Sequence, residues 1–294
     1  MTGIEVRPGS IVVGVDGSTS STRAVAWAAE QASLEHRPLT LLHTIGAAAT
    51  TWAGEPGVDR GAVLEALVTD GHALLATARA AVLDHAPGVD VHECVVLGDP
   101  RGALLEAASD AALLVVGSRG RGPVASLLLG SVGVALTRHP TCPVVVVRPG
   151  NPGLERHGVL VGIDGTQHSA GTLEFAYRQA STHGLPLTVM HCPAVDLAAS
   201  AATDAERNAR LHEARLLLAR TVKDMAEKFP DVPVHTELCR GRPDECLVRE
   251  GSRMHLVVIG AHHGGAVSGV LFGTITAAVV EHASSPVAVV PAPV

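Results

Sequence analysis

Short aliphatic runs recur along the chain, each followed by a stretch whose apolar positions return every three or four residues. In the first half, runs near 10–16, 38–44, 91–97, 112–117 and 143–148 have the length and Val/Ile/Leu content of buried strands. Between them, Trp27, Ala28 and Gln31 to Leu34 fall on a first helix. Leu64, Leu67, Val68, Leu75, Ala78 and Val82 keep helical spacing on a second. Gly98-Asp99-Pro100 predicts the start of a third, because proline at the first helical position gives up no hydrogen bond. Strands and helices alternating in this order predict βαβ units, with five parallel strands covered by helices on both faces.

The pattern then repeats. IVVGVDGS (11–18) returns as VLVGIDGT (159–166), and LTLLH (39–43) as LTVMH (187–191), at a shift of 148. Further on the shift is 143: LLVVGS (113–118) matches LVVIGA (256–261), and HPTCPVVVV (139–147) matches HASSPVAVV (282–290). The second copy is therefore shorter between its second and third strands. Phe175 replaces Trp27, and Leu211, Leu218, Val222, Met225 and Phe229 repeat the second helix. Fold class is thus α/β, with two tandem doubly wound five-stranded domains at 1–150 and 157–294 and a Pro/Gly-containing linker at 148–158. The fifth strands, PVVVVR (143–148) and PVAVVP (286–291), would expose unpaired backbone at a sheet edge. Pairing of one with the other inside the chain is the expected remedy; a helix-covered edge is the alternative, and a homodimer stays open.

Composition narrows the function. Aromatic residues make up only 2% against 47% hydrophobic, so the core must be built from Val, Leu, Ile and Ala. A formal charge of −7 lacks the basic surplus of a general nucleic-acid binder. No apolar run reaches the roughly 18 residues a membrane helix requires, and the first ten residues hold no signal-peptide core. Cys94, Cys142, Cys192, Cys239 and Cys246 are scattered, odd in number and never spaced C-x-x-C. These features predict a reduced, cytoplasmic protein without disulfides or a zinc site.

In an open parallel sheet, ligands bind beyond the carboxyl ends of the strands where the strand order reverses. Val15-Asp16-Gly17-Ser18 follows the first strand. Asp16 has two readings, a cap for the next helix or a carboxylate for ribose hydroxyls or a phosphate-bound cation. After the fourth strand comes GSRGRGPVASLLLGSV (117–132), where Gly117, Gly120, Gly130 and Ser131 make the spacing G-x2-G-x9-G-S. Glycine at a strand exit lets a ligand approach the backbone, and a helix opened by Gly130-Ser131 offers free N–H groups to an anion. Arg119 and Arg121 add positive charge. These parts fit a polyphosphate cradle, with Leu127 to Leu129 packed beneath it.

On those residues the chain resembles the universal stress protein family of the ATP-binding type, over both halves. The family's motif G-x2-G-x9-G-(S/T) is matched by Gly117, Gly120, Gly130 and Ser131; Asp16 and LLHT (41–44) match two further signatures. The resemblance implies strand order 3-2-1-4-5, with the backbones of Val15 and Thr44 at adenine. It implies Asp16 near ribose and a nucleotide-bound Mg, and Gly117, Gly120, Gly130 and Ser131 around the phosphates; Arg119, Arg121 and Val132 complete the candidate ATP site. In the second copy the corresponding residues are Ile163, Asp164, Cys192, Gly260, His263, Gly273 and Thr274. There the motif is altered, since His263 stands where the second glycine belongs and Gly264 follows it. His262 and His263 have no third metal ligand spaced to join them, and read as loop histidines. His43 and His191, at equivalent ends of the second strands, read as structural.

Lysine occurs only at Lys223 and Lys228, and no Walker A loop, dinucleotide G-x-G-x-x-G, nucleophile elbow or H-E-x-x-H is present. The favoured reading is an ATP-binding regulatory stress protein that holds nucleotide without being an enzyme. A weak ATPase and a nucleotide-free dimerising scaffold are the alternatives.

Overall fold

The first aliphatic run forms β1 (Ile11–Gly14). The chain continues through α1 (Thr19–Glu35), β2 (Leu39–Ile45), α2 (Arg60–His85), β3 (Val91–Leu97), α3 (Pro100–Ala107), β4 (Leu113–Gly117), α4 (Ser131–Arg138) and β5 (Val144–Val147). The same order returns as β6 (Val159–Ile163), α5 (Ser169–His183), β7 (Leu187–His191), α6 (Asp204–Lys228), β8 (Val234–Leu238), α7 (Pro243–Gly251), β9 (Leu256–Ala261), α8 (Gly269–His282) and β10 (Val287–Pro291). The computed structural model describes residues 4–46, 59–120, 129–138, 140–149, 157–166, 168–192, 204–261 and 269–292. The chain divides into two compact units, Met1–Pro149 and Gly150–Val294.

Within the first unit the strands lie in the order β3-β2-β1-β4-β5, all parallel. The second unit has β8-β7-β6-β9-β10, likewise parallel. Parallel strands covered on both faces need continuous apolar sequence, and Ile11, Leu39, Leu41, Leu114, Val145, Leu160, Leu187 and Val258 are all fully buried. β3 and β8 instead have no fully buried residue, as suits strands at a sheet edge. The sparse aromatics go where the helices meet this core: Trp27 on α1 and Phe175 on α5 are buried at equivalent places. Tyr177 is fully buried, stacks on Phe229 at 5.6 Å between ring centroids, and burial pushes its hydroxyl up to about 12.

Caps explain where the helices begin and end. Asp59 accepts from the N–H groups of Gly61 and Ala62 to start α2, and Pro100 occupies the first turn of α3. α1 ends at His36 in the left-handed region, φ 52°, where α5 ends at Gly184 with φ 61°. A side chain in that region costs roughly 1–2 kcal/mol, and glycine is the usual solution at a helix end. His36→Gly is therefore expected to raise stability by about 0.5–1 kcal/mol, the strain relieved exceeding the entropy glycine adds to the unfolded chain. Chemical denaturation of the two proteins side by side measures it.

One expectation from the cysteines is overturned: Cys239 and Cys246 are joined by a disulfide. The spacing of seven residues hides it, because the bond spans the turn from the end of β8 to the first turn of α7. Cys94, Cys142 and Cys192 are free. No described helix is long and apolar enough to cross a membrane.

Candidate functional site

β1, β2 and β4 run in register, Val13 beside both Leu41 and Val115, so their carboxyl ends open on one edge. Val15 is tied into that edge from both sides. Its N–H donates to the Leu42 carbonyl at 2.8 Å, and its own carbonyl accepts from His43 Nδ1 at 2.7 Å. A carbonyl only accepts, so His43 carries its proton on Nδ1. The imidazole thus holds the turn after β1 to the end of β2, the structural role read from the sequence. His191 Nδ1 repeats the bond to the Ile163 carbonyl at 3.0 Å. The Val15 N–H is spent within the sheet, and a ligand meets only the remaining lone pair of its carbonyl. Thr44, half-buried, lies beside Val96 on β3.

The turn after β1 is built on Asp16. Its Oδ1 accepts from the Ser18 N–H at 3.0 Å, closing an Asx turn over Gly17, whose φ of 76° favours glycine. Ser18 then caps α1, accepting from the Ser21 N–H at 3.1 Å, and its hydroxyl lies 3.5 Å from the Arg119 carbonyl. Ser18 and not Asp16 thus caps the helix, while Asp16 Oδ1 shapes the turn and its Oδ2 faces the loop after β4. A Cβ on Gly120 would stand 2.6 Å from Oδ2. A Cβ on Gly117 would stand 2.7 Å from the carbonyl carbon and oxygen of Ser20. The glycines of this loop are thus needed where the backbone passes against Asp16 and the first turn of α1.

The far end of the loop returns to the same place. The Gly130 N–H donates to the Ser118 carbonyl at 3.0 Å, and a Cβ there would lie 3.8 Å from Arg119 Cα and Gly120 N. α4 then begins at Ser131, and the Val134 N–H is the first to close a turn, on the Gly130 carbonyl at 3.1 Å. The amides of Ser131, Val132 and Gly133 are accordingly first-turn donors with no acceptor inside the helix. Asp16, Gly117, Gly120, Gly130 and the start of α4 are thus brought together. Arg119 and Gly120 are exposed, Leu129 is buried beneath the turn, and Arg121, Leu127 and Leu128 lie outside the described residues. Sequence reasoning passed over Ser18 and Ser118. The Ser118 hydroxyl is buried with no partner among the described residues; its place between the two motif glycines was the available signal.

The second unit uses equivalent positions differently. Asp164 Oδ1 accepts from the Thr166 N–H at 2.8 Å, the Thr166 hydroxyl at 2.8 Å and the Ser169 hydroxyl at 2.6 Å. One carboxylate oxygen is thus saturated by its own turn. Leu217 of α6 covers Gly165 closely enough that any Cβ there would collide with it. The Gly260 carbonyl takes the Thr276 hydroxyl at 3.3 Å. α8 begins at Gly269, so Gly273 and Thr274 fall inside that helix and do not open it, unlike Gly130-Ser131. His262, His263 and Gly264 lie outside the described residues.

At the ends of β7 and β8 the second unit gathers sulfur. The Cys239 N–H donates to the His191 carbonyl at 3.0 Å, which sets Cys239 beside the end of β7 where Cys192 follows. Cys192, Cys239 and Cys246 have their sulfurs within 4.8 Å of one another. Burial, with Glu237 nearby, pushes the Cys192 thiol up to about 11, Arg249 opposing. Cys246 is the most deeply buried of the three, and Arg249 Nη2 stands 3.5 Å from Cys239 Sγ.

Comparison with known proteins agrees with this architecture. The universal stress protein family model matches residues 9–148 and again 155–291. A universal stress protein of Mycobacterium tuberculosis is 34% identical over 286 residues, covering 95% of this chain and 96% of the relative. Another, from Mycolicibacterium smegmatis, is 33% identical over 287 residues, covering 95% and 96%. Among solved structures, a universal stress protein from Archaeoglobus fulgidus superposes with TM-score 0.68 at 18% identity, covering 97% of this chain and 99% of its own. Two family matches, each spanning one five-stranded unit, place the chain in the universal stress protein family.

Proposed function

We propose that the first unit holds ATP, with Mg, and acts in regulation by holding nucleotide and not by hydrolysing it. The observation that carries this reading is the convergence of the Asp16 carboxylate, the Gly117–Gly120 backbone and the free amides of α4 at the carboxyl edge of β1 and β4. Helix-start amides and a close backbone suit phosphates, and the Asp16 Oδ2 is positioned for a ribose hydroxyl or a phosphate-bound Mg. Thr44 and the Val15 carbonyl line the same edge for the base. Absence of lysine before residue 223 favours retention over turnover, since nothing of that kind reaches the β- and γ-phosphates. Pairing of the two fifth strands, argued from the runs at 143–148 and 286–291, belongs to the same proposal. The same proposal leaves the second unit empty, since Asp164 Oδ1 takes three bonds from its own turn and α8 starts before Gly273-Thr274.

Denaturing the purified protein and running the supernatant by nucleotide chromatography tests the proposal. About one ATP per chain, from the first unit alone, is the expected result. Protein that carries no nucleotide and gains none at millimolar ATP and Mg would overturn it. Two per chain would restore the second site, and multiple turnovers per site would establish the enzyme reading.

A further inference from the structure

We infer that the second unit carries a copper(I) site formed by the three thiolates of Cys192, Cys239 and Cys246, assembled when the Cys239–Cys246 disulfide is reduced. The three sulfurs come from three separate places, the residue after β7, the residue after β8 and the first turn of α7. The fold brings them within 4.8 Å of one another. Three sulfurs around one ion at roughly 2.3 Å stand about 4.0 Å apart. Reduction frees the Cys239 and Cys246 sulfurs to separate to that spacing, with the Cys192 sulfur already within 4.8 Å of both.

The ligand set selects the ion. Thiolates favour soft cations, copper(I) and zinc among them. A structural zinc site takes four protein ligands. Among the described residues the cluster offers three, with no further Cys, His, Asp or Glu ligand atom in the group, and copper(I) accepts three sulfurs. Three thiolates around a monovalent ion leave a charge of −2, and the Arg249 guanidinium, 3.5 Å from Cys239 Sγ, offsets part of it. Cys239 and Cys246 are buried while Cys192 is half-exposed, which gives the ion a path in past Cys192 and keeps water from the other two sulfurs.

Loading is a two-step process. Two equivalents of a low-molecular-weight thiol pass two electrons and two protons to the Cys239–Cys246 bond, leaving two protein thiols and one small-molecule disulfide. Copper(I) then displaces the protons of the three thiols to solvent and takes three Cu–S bonds. In the reverse exchange a small-molecule disulfide takes the two electrons and, with two protons from solvent, leaves as two thiols; the Cys239–Cys246 bond re-forms, two ligands are lost and the ion is released. The disulfide form described above is the metal-free end of that cycle, and this reading is independent of nucleotide binding in the first unit.

Anaerobic titration of the reduced full-length protein with copper(I), against the chromophoric chelator bathocuproine disulfonate, tests it. The protein is expected to withdraw one copper(I) per chain from the chelator, and the oxidised protein none. Cys192→Ser, at the half-exposed sulfur where folding is least at stake, is expected to weaken binding by more than about 100-fold, beyond the 10- to 100-fold cost of outer-sphere changes. Cys94→Ser, a free cysteine of the first unit, is the control and leaves the affinity unchanged. Wild-type affinity in Cys192→Ser, or no copper taken by the reduced wild type, overturns the site.

Discussion

Gly117→Ala is expected to destabilise the first unit by about 2–3 kcal/mol, the upper part of the usual range for forcing atoms into a packed site. The added methyl would lie 2.7 Å from the carbonyl carbon and oxygen of Ser20, and 2.8 Å from its Cβ. Those atoms belong to the first turn of α1, so a side-chain rotation cannot relieve the clash; the helix or the strand end must move. Gly102→Ala, on α3 with nothing within 4 Å of the new methyl, is the matched control and is expected to be neutral or slightly stabilising. The chain itself supplies the probe. Its two tryptophans, Trp27 and Trp52, both belong to the first unit, so tryptophan fluorescence in urea follows that unit alone. An unchanged midpoint for Gly117→Ala would mean that α1 does not lean on the β4 exit. A fall in ATP affinity in this variant would therefore not separate lost contacts from a displaced helix.

Asp16→Ala separates them. ATP at one hundred times its dissociation constant is expected to add about 2.7 kcal/mol to the tryptophan-detected stability of the wild type, by mass action on the folded unit. In Asp16→Ala the same ATP and Mg concentration is expected to add less than half of that, through loss of the carboxylate that faces Gly120. Removing the carboxylate also removes the Asx-turn bond to the Ser18 N–H, about 1 kcal/mol of basal stability. The quantity to compare is accordingly the shift on adding ATP, variant by variant, not the absolute midpoint. Equal shifts in both proteins would take Asp16 out of the site.

Much of this was legible from pattern alone. The strand at 91–97 and the start of α3 at Pro100 needed only aliphatic runs and proline chemistry. The change of shift from 148 to 143 lies where expected, between β2 and β3 of the first unit and β7 and β8 of the second. Strand order followed from the family resemblance. What pattern could not supply was which face of each local group is already in use. Val15 was expected to offer its backbone, yet its N–H is held by Leu42. Asp16 and Asp164 look identical in sequence and both close a turn with a backbone N–H, and only the folded positions of the Thr166 and Ser169 hydroxyls show that Asp164 Oδ1 takes two bonds more. The disulfide was missed for a related reason. Seven residues of separation carry no signal until β8 and α7 are folded against each other. α8 starts at Gly269 because the run after it is apolar and continuous, while the motif residues were read as its beginning.

The Ser18 hydroxyl, 3.5 Å from the Arg119 carbonyl, joins the start of α1 to the loop after β4. Seventeen residues of α-helix make a rod of about 25 Å, and one end of this rod touches the loop after β4. Beyond the other end, Arg37 holds the Gly9 carbonyl at 2.9 Å and pairs with Glu35 at 2.9 Å. The loop after β4 and the start of β1 are thus tied to opposite ends of one helix, and a displacement of that rod would be expressed at both.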